Sequence, residues 1–333
     1  MTDGDSVFPS SDTQIGVRIG LSAVIIALHQ REAVVLTTHA PDGAPALPFG
    51  PFDPVKDRTF ELALRDFVTQ QTGFQLGFVE QLYTFGDFGR ASPRATPGPV
   101  RAREVSVGYL TLTPDSTPPS TGQDASWTPL FHIFPWEDWR KGPPAMMGEL
   151  SEALLRWADS NPKRLIRVNT LFALTPEARW NEERVLERYE LLYEAGLVEE
   201  SRRDHRREAS LDITPQNDLA RDLARDLAMA SDHRRIAATG LGRLRSKLKY
   251  RPVLFDLMPD EFTLSTLQSA AEAISGLSLH KQNFRRGVER TGLVIATGRF
   301  ATDTGGRPAE LFSFARTDIN GASAPGLTLP GQR

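Results

Sequence analysis

The sequence predicts an α+β protein in which a mixed domain of strands and helices, carrying a mainly helical insertion, precedes a winged helix-turn-helix domain. Strand-like runs alternate with one helical pattern in the first half, and two helices are followed by two strands near the end. The 333 residues, 40% of them hydrophobic, are enough for two cores. The predicted segments are a tail at 1–14, the mixed domain at 15–144, the insertion at 145–218, a connecting helix at 219–250, the winged helix at 251–316 and a tail at 317–333.

Composition excludes several classes of protein. The chain has no cysteine, which rules out disulfides and thiolate metal sites, and its six histidines lack metal-ligand spacing, so no metal site is expected. No apolar run reaches the ~20 residues of a membrane span. Gly20–Leu28 is short and follows a tail with more acids than bases, so we expect no signal peptide. We therefore expect a cytoplasmic protein without a membrane partner. The polar ends, before about Gln14 and after about Ile319, are predicted to be mobile and dispensable.

The mixed domain is predicted from β-type runs around a single helix. Gly73 is expected to end that helix in a left-handed conformation. The predicted strands are Gly20–Leu28, Ala33–Thr38, Leu76–Thr84 and Glu104–Thr111, and the predicted helix is Asp57–Gln71.

The insertion contains a helical pattern that Thr175-Pro176-Glu177 is expected to begin and Gly196 to end. Val185, Tyr189 and Leu192 would share its apolar face. A helical insertion is the preferred interpretation. A second winged hairpin, formed by 196–200 and 209–213, is the alternative.

The segment Phe262–Arg316 has the order of elements of a winged helix-turn-helix. A first helix should end at Gly276, and Ser278 should cap a second helix running to Arg290. The predicted wing strands are Leu293–Thr297 and Ala309–Phe314. On the second helix, Phe284, Val288 and Thr291 would face the core, with Gln282, Arg285, Arg286 and Glu289 facing outward, which is the pattern of a helix that reads a major groove.

Charge supports a DNA-binding role for this segment. Residues 276–316 carry seven basic and three acidic side chains, a net charge of +4, whereas the whole chain has −3. The alternative is a solvated basic helix in an ordinary globular domain. The predicted DNA contacts are Lys247, Lys249, Thr263, Lys281, Gln282, Asn283, Arg285, Arg286 and Arg307.

The mixed domain resembles a Nudix fold. Leu47-Pro48-Phe49-Gly50, the following helix and Thr72-Gly73-Phe74 carry the resemblance. Active Nudix enzymes place glutamates on this loop and helix to hold magnesium ions against a pyrophosphate. Counted from Gly73, the positions of the paired metal-binding glutamates fall at Gln70 and Gln71, and amides are poor ligands for Mg²⁺. The resemblance thus implies that hydrolysis has been lost, with no catalytic residue and no catalytic cofactor.

Further stretches resemble the Nudix-related transcriptional regulators of NAD metabolism (the NrtR-like family), and most closely the NadQ-type repressors of NAD biosynthesis. They are Gln81–Asp87, Glu104–Leu110, Asp232–Ile236, Leu244–Leu248 and Gly305–Ala309. The resemblance implies a homodimeric repressor of NAD biosynthesis genes that binds double-stranded operator DNA. It also implies an adenine or nicotinamide nucleotide as the effector, which is NAD(H), ADP-ribose or ATP.

The predicted effector pocket lies between the loop Phe49–Phe52 and the strands carrying Tyr83–Asp87 and Arg103–Tyr109. Guanidinium groups suit phosphates, and aromatic rings suit an adenine or nicotinamide ring, although surface and core roles are the common alternatives. Asp232-His233 is expected to make a structural hydrogen bond or a ligand contact. The predicted ligand residues are Arg18, Phe49, Arg65, Tyr83, Phe85, Asp87, Arg101, Arg103 and Tyr109.

A rival interpretation is an active nucleotide pyrophosphohydrolase with a regulatory DNA-binding module, using the displaced acids Glu61, Asp66 and Glu80. A third is a regulator of the same build with an unrelated effector. Magnesium-dependent turnover of ADP-ribose or NAD separates the rival from the other two.

Overall fold

The computed structural model describes residues 16–77, 79–87, 102–114, 116–117, 124–208, 228–249, 251–301 and 308–315. Both predicted tails, Arg101 and Arg307 lie outside these ranges. The predictions made for them therefore stay predictions, as do the boundaries between the predicted segments.

The first half of the chain forms one mixed sheet. The two longest strands, β1 and β6, run parallel with Ile19 opposite Val105, and the other pairings are antiparallel. The order is β3-β2-β1-β6-β5, with β4 also on β1 and β7 on β2. The strands are β1 Gly16–His29, β2 Glu32–His39, β3 Pro45–Ala46, β4 Phe49–Pro51, β5 Val79–Phe85, β6 Ala102–Leu112 and β7 Ala125–Pro129.

Helix α1 (Phe60–Thr72) covers one face of this sheet. The Thr59 side chain accepts a hydrogen bond from the Leu62 amide at its start, and Gly73 ends it at φ 69°. The ending at Gly73 is as predicted. Leu64 and Val68 pack with β1 and β6 in a small separate core.

The other face of the sheet contacts the helices Leu130–Ile133 and His233–Leu248, and helices of the insertion pack with the latter in the same core. These helices are α2 Leu130–Ile133, α3 Met147–Ala158, α4 Pro162–Phe172, α5 Val185–Glu194, α6 Glu199–Glu208 and α7 His233–Leu248, with a 3-10 turn at Pro135–Glu137. Their buried side chains share one continuous core with Val24 and Ile26 of β1 and with Leu267 and Val288 of the winged helix. The winged helix is therefore packed onto the rest of the described chain.

Two predictions about these helices were wrong, and one alternative that the sequence left open is excluded. Helix α5 begins at Val185, not near Thr175, since residues 174–184 form turns and irregular structure. Glu199 and Glu200 begin α6, which rules out the strand that the second winged hairpin required. Helix α7 begins at His233, because residues 228–232 are not helical, while 219–227 lie outside the described residues.

The winged module follows a 3-10 turn at Val253–Leu257 and consists of α8 Leu264–Ser275, α9 Lys281–Thr291, β8 Val294–Ala301 and β9 Ala309–Phe314. Gly276 ends α8 as predicted, at φ 71°. The predicted cap at Ser278 was wrong, since His280 precedes the first helical residue. Leu279 stays outside α9 because its amide donates to Glu272 (2.8 Å) and its carbonyl accepts from Gln268 (2.9 Å), both on α8.

None of the helices in the described ranges combines the length and the apolar character needed to cross a membrane.

Candidate DNA interface and sensor site

Helix α9 presents a polar face to solvent. Phe284 and Val288 are buried against the module, as the periodicity predicted. The exposed side chains are Lys281, Gln282, Asn283, Arg285, Arg286, Glu289 and Arg290. Such a row of long hydrogen-bond donors on a rigid, apolar-anchored helix suits the base edges and phosphates of a duplex.

The charge of this face is strongly positive. Four exposed bases face one exposed acid along α9, and that acid, Glu289, lies 3.5 Å from Arg285. On the wing, Arg299 is paired with Glu261. Thr263, a predicted DNA contact, caps α8 by accepting a hydrogen bond from the Thr266 amide at 3.0 Å, so its hydroxyl already has a structural role.

The two lysines at the end of α7 do not share this face. Lys247 is buried and its ammonium is paired with Glu80 of β5. Lys249 is paired with Glu182, at 3.0 Å, and with Glu183. These pairs hold both side chains against the sheet and the insertion, and neither lysine is proposed as a DNA contact.

Gln71 ties α1 to the loop that precedes it. Its side-chain amide donates to the Phe49 carbonyl at 2.6 Å and accepts from the Phe49 amide at 3.3 Å. A glutamate at this position could accept from the amide but could not donate to the carbonyl. Gln71 thus links the end of α1 to Phe49 through two hydrogen bonds.

The acids that the rival hydrolase would need are dispersed. Glu61 is paired with Arg65 at 2.8 Å, and Arg65 also donates to the carbonyls of Leu76 and Gly77. Glu80 is paired with Lys247. Within the described parts of the chain, no three acidic or histidine side chains lie close enough together to hold a metal ion. Among the described residues, Glu61 and Glu80 thus serve as partners in separate ion pairs.

The predicted effector residues do not converge on one pocket. Tyr109 packs against α1, where burial, and then the charge of Glu61, raises the pKa of its hydroxyl. Phe85 belongs to the core on the opposite face of the sheet, with Ile236. The two rings therefore lie on opposite faces of the sheet, because residue type does not reveal which face of a strand a ring occupies.

A subset of the predicted residues does cluster at the start of α7. Arg235 is paired with Asp87, with Glu190 (2.6 Å) and with Asp232 (3.2 Å), and its guanidinium lies 5.4 Å from the Phe85 ring. The Tyr83 ring, 62% exposed, lies edge-on to Phe85 at 5.4 Å. We call Tyr83, Phe85, Asp87, Glu190 and Arg235 the α7 cluster. The sequence analysis missed Arg235 and Glu190, because their place in the cluster depends on the packing of α5 and α7.

The remaining predicted effector residues lie around this cluster or away from it. Arg103 is exposed and donates to the Gly86 carbonyl, at 2.5 Å and 3.2 Å, beside Asp87. Arg18 is exposed on β1, opposite Glu104 in register. Arg65 donates to the Leu76 and Gly77 carbonyls, which lie beyond the end of α1.

His233 connects the loop before α1 to α7. Its Nδ1 accepts a hydrogen bond from the Leu47 amide at 3.1 Å, which places the ring proton on Nε2, and the Phe49 ring packs edge-on at 4.9 Å. Burial, reinforced by the positive charge of Arg203, lowers the pKa of His233 to about 3. The expected structural hydrogen bond is thus present.

The fold and these surfaces define a class of protein: an α+β chain with a Nudix-like domain and a C-terminal winged helix that presents a basic face. Residues 254–314 match the family model of the NrtR DNA-binding winged helix domain. In its fold and in this matched segment the chain is similar to the NrtR-like, Nudix-related regulators.

Individual relatives agree with this class. A curated ADPR responsive transcriptional repressor, NtrR of Acinetobacter baylyi, is 38% identical over 94 residues, which are 28% of this chain and 37% of the relative. The chain therefore matches just over a third of that relative's length.

Two solved structures share the fold. The crystal structure of Shewanella oneidensis NrtR with a 27mer DNA has a TM-score of 0.55 at 20% identity and covers 94% of this chain and 99% of its own. A MutT/nudix family protein from Enterococcus faecalis has a TM-score of 0.50 at 14% identity, covering 93% of this chain and 89% of its own.

Proposed function

We propose that this chain is a transcriptional repressor that binds operator DNA through α9 and the wing. Its Nudix-like domain binds an ADP-ribose-type nucleotide without hydrolysing it. The observation that carries the proposal is the geometry of α9, whose apolar side is buried while its cationic side is exposed. The name of the Acinetobacter relative, an ADPR responsive repressor, supports both the binding of operator DNA and an ADP-ribose-type effector.

The finer parts of the proposal concern the regulated genes, the assembly and the cell compartment. We propose NAD biosynthesis genes as targets and a homodimer as the binding form, because a dimer places two recognition helices on two half-sites about one or two helical turns apart. Among ADP-ribose, NAD(H) and ATP, the name of the relative favours ADP-ribose. A regulator of genes that acts in this way works in the cytoplasm.

The contacts described above supply a route between the two functions. Gln71 and His233 hold the loop Leu47–Phe49 against α1 and α7. At its other end, α7 holds the winged helix, because Arg245 donates to the Ile274 carbonyl at 2.8 Å. A nucleotide that moves the loop or the α7 cluster would therefore act on the position of α8 and α9.

DNA binding is tested on the recognition helix. A duplex selected by the protein from random sequences serves as the operator, and Arg285→Ala and Arg286→Ala should each weaken it by on the order of 1–3 kcal/mol if they contact bases. A phosphate contact would instead lower the salt slope of binding by about one. The control is Arg243→Ala, an exposed arginine on α7. Unchanged affinity and salt slope in the Arg285→Ala/Arg286→Ala double variant would place the interface elsewhere.

Catalytic silence is tested with magnesium. Because Gln71 is engaged by Phe49 and the nearby acids are dispersed, ADP-ribose and NAD should remain intact over hours. Chromatography of the nucleotides measures this, and an unfolding shift of the same protein with ADP-ribose shows that it binds; a ligand at ~100 Kd adds about 2.7 kcal/mol. Turnover above ~0.1 per second, close to the usual enzyme range, would support the rival hydrolase.

A further inference from the structure

The exposed face of α9 carries one acidic side chain among basic ones. Glu289 is 54% exposed, and its Oε1 lies 3.5 Å from the Nε of Arg285, which is 52% exposed. A carboxylate at a DNA interface is repelled by the phosphates, so it lowers the affinity for duplexes of every sequence. The bases of the helix are Lys281, Arg285, Arg286 and Arg290.

Helix stability does not explain an acid at this position. Because α9 ends at Thr291, Glu289 lies in the last turn, where the partial negative charge of the helix end disfavours a carboxylate. The pair with Arg285 also has the less favourable order, since the base precedes the acid by four residues. On α3, the pair of Glu152 and Arg156, at 3.6 Å, has the favourable order. Glu289 therefore acts against both the helix dipole and general DNA affinity.

In a major groove, a carboxylate distinguishes between base pairs. It accepts from the N4 amino group of cytosine, whereas thymine presents the O4 oxygen there and repels it. Arginine reads guanine by donating to O6 and N7. With its Nε directed at Glu289, Arg285 keeps both terminal nitrogens available for such a contact. The two side chains together suit a site that contains cytosine and guanine.

We propose that Glu289 is a specificity-determining residue of the DNA interface. One carboxylate oxygen orients Arg285 toward a guanine, and the other accepts from the amino group of a cytosine in the same site. Where only phosphates are contacted, Glu289 weakens binding. This inference rests on the proposed function, and it names the side chain that separates operator from other DNA.

The test compares Glu289→Gln with the unaltered chain on three kinds of duplex. The first is the duplex that the protein selects from random sequences, and the second is a scrambled duplex of the same composition. The third is a series in which each C·G pair of the selected duplex is replaced in turn by T·A. Fluorescence anisotropy at several salt concentrations gives the affinities. The matched control is Glu152→Gln, the same charge change in an exposed ion pair of the insertion.

One position of the series should distinguish the two proteins. Replacement of the C·G pair that Glu289 reads should cost the unaltered chain about 5- to 150-fold in affinity, equivalent to about 1–3 kcal/mol. Glu289→Gln should lose most of this penalty, because its amide can donate to thymine O4. At the other positions both proteins should respond alike.

Binding to the scrambled duplex should change in the opposite direction. Glu289→Gln should bind it several-fold more tightly, with a salt slope steeper by up to about one, since Arg285 is then able to neutralise a phosphate. Denaturant unfolding should show this variant to be at least as stable as the unaltered chain, because an acid has left the last turn of α9. Glu152→Gln should match the unaltered chain in DNA binding.

Three outcomes would overturn the assignment. Equal penalties at every replaced pair in both proteins would refute the reading of cytosine. A scrambled duplex bound no more tightly by Glu289→Gln would refute the repulsion from phosphates, and an equal loss of affinity for all duplexes would show a structural role only. A different result would count against the proposed function itself: an unaltered chain that binds the selected and scrambled duplexes equally.

Discussion

At the scale of single residues, buried polar side chains connect segments that are far apart in the sequence. Glu137 accepts from Arg188 (2.6 Å) and from Arg245 (2.5 Å), and all three are fully buried. Burial alone would raise the pKa of Glu137, but the two guanidinium groups hold it below its usual range. Such a network contributes little net stability, because desolvation offsets the attraction, but breaking it is costly. We interpret it as a device that fixes how α5, α7 and the winged helix meet.

His233 should make the fold sensitive to acid. Its pKa is about 3 in the folded chain and about 6.5 when unfolded, so the unfolded state binds the extra proton as the pH falls below about 6.5. The stabilisation that neutral His233 contributes to the fold is therefore fully present above about pH 6.5. Below that pH the free energy of unfolding falls by up to about 1.4 kcal/mol per pH unit toward pH 3.

Urea unfolding at pH about 7.5 and about 5.5 measures this loss. His233 alone should lower the free energy of unfolding by about 1.4 kcal/mol between these values, because about one pH unit of the interval lies below its unfolded pKa. His233→Gln, which keeps an acceptor for the Leu47 amide, should reduce the pH dependence by that amount. His132→Gln, at an exposed histidine, should leave it unchanged. A His233→Gln variant with the full pH dependence would contradict the assignment.

At the scale of elements, the two glycines that end α8 and α9 form a matched pair. Both have left-handed backbones, Gly276 at φ 71° and Gly292 at φ 66°. A Cβ on Gly276 would lie 2.2 Å from the Glu137 carbonyl oxygen, whereas one on Gly292 would meet nothing within 4 Å. The Gly276 carbonyl also accepts from the Trp139 amide at 2.7 Å. The end of α8 is thus packed closely against the segment Glu137–Trp139.

Gly276→Ala should therefore destabilise the chain more than Gly292→Ala. Both substitutions incur about 1–2 kcal/mol of left-handed strain, and only the first adds an overpacking cost of about 1–3 kcal/mol. Denaturant unfolding of the two variants measures the difference. Equal losses would mean that α8 is not held against Glu137 in solution.

Elements differ in how far the sequence predicts them. The ends of α1 and α8 were predictable because a glycine in the left-handed conformation is a local requirement, met by Gly73 and Gly276. The starts of α5 and α9 were not, since packing decides them: Leu279, for example, is held out of α9 by side chains of α8. Local sequence cannot report a contact made by a neighbouring helix.

The same distinction between local patterns and contacts with distant segments applies to the candidate sites. The face of α9 was predicted correctly from periodicity alone, because burial of Phe284 and Val288 repeats along one helix. Of the α7 cluster, only Tyr83, Phe85 and Asp87 were among the predicted effector residues. Arg235 joins Asp87 across a large separation in the chain, and Phe85 and Tyr109 face opposite sides of the sheet. No pattern in the sequence encodes either arrangement.

At the scale of the whole molecule, the described segments form a linked series rather than independent domains. One hydrophobic core runs from β1 through the insertion and α7 to α8 and α9. A rigid connection of this kind lets a local change at one end bias the position of the other, provided that the ligand binds the two arrangements with different affinity.

Coupling between effector binding and DNA binding can be tested at Tyr83 of the α7 cluster. The ring is 62% exposed, so Tyr83→Ala should disturb the core little while removing a surface on which a nucleotide base can stack. ADP-ribose should change the operator affinity of the unaltered chain about 5- to 150-fold, equivalent to about 1–3 kcal/mol of coupling. Tyr83→Ala should reduce that change and leave the affinity without nucleotide as it was.

Fluorescence anisotropy with the selected duplex, with and without ADP-ribose, measures both quantities. The control is Leu155→Ala, which removes an exposed apolar side chain of the insertion far along the chain from the cluster. Because coupling is reciprocal, the duplex should also change the affinity for ADP-ribose by the same factor in the unaltered chain. A Tyr83→Ala variant that keeps the full response would place the effector away from the α7 cluster, whereas equal affinity of both variants without nucleotide would show that the DNA interface itself is intact.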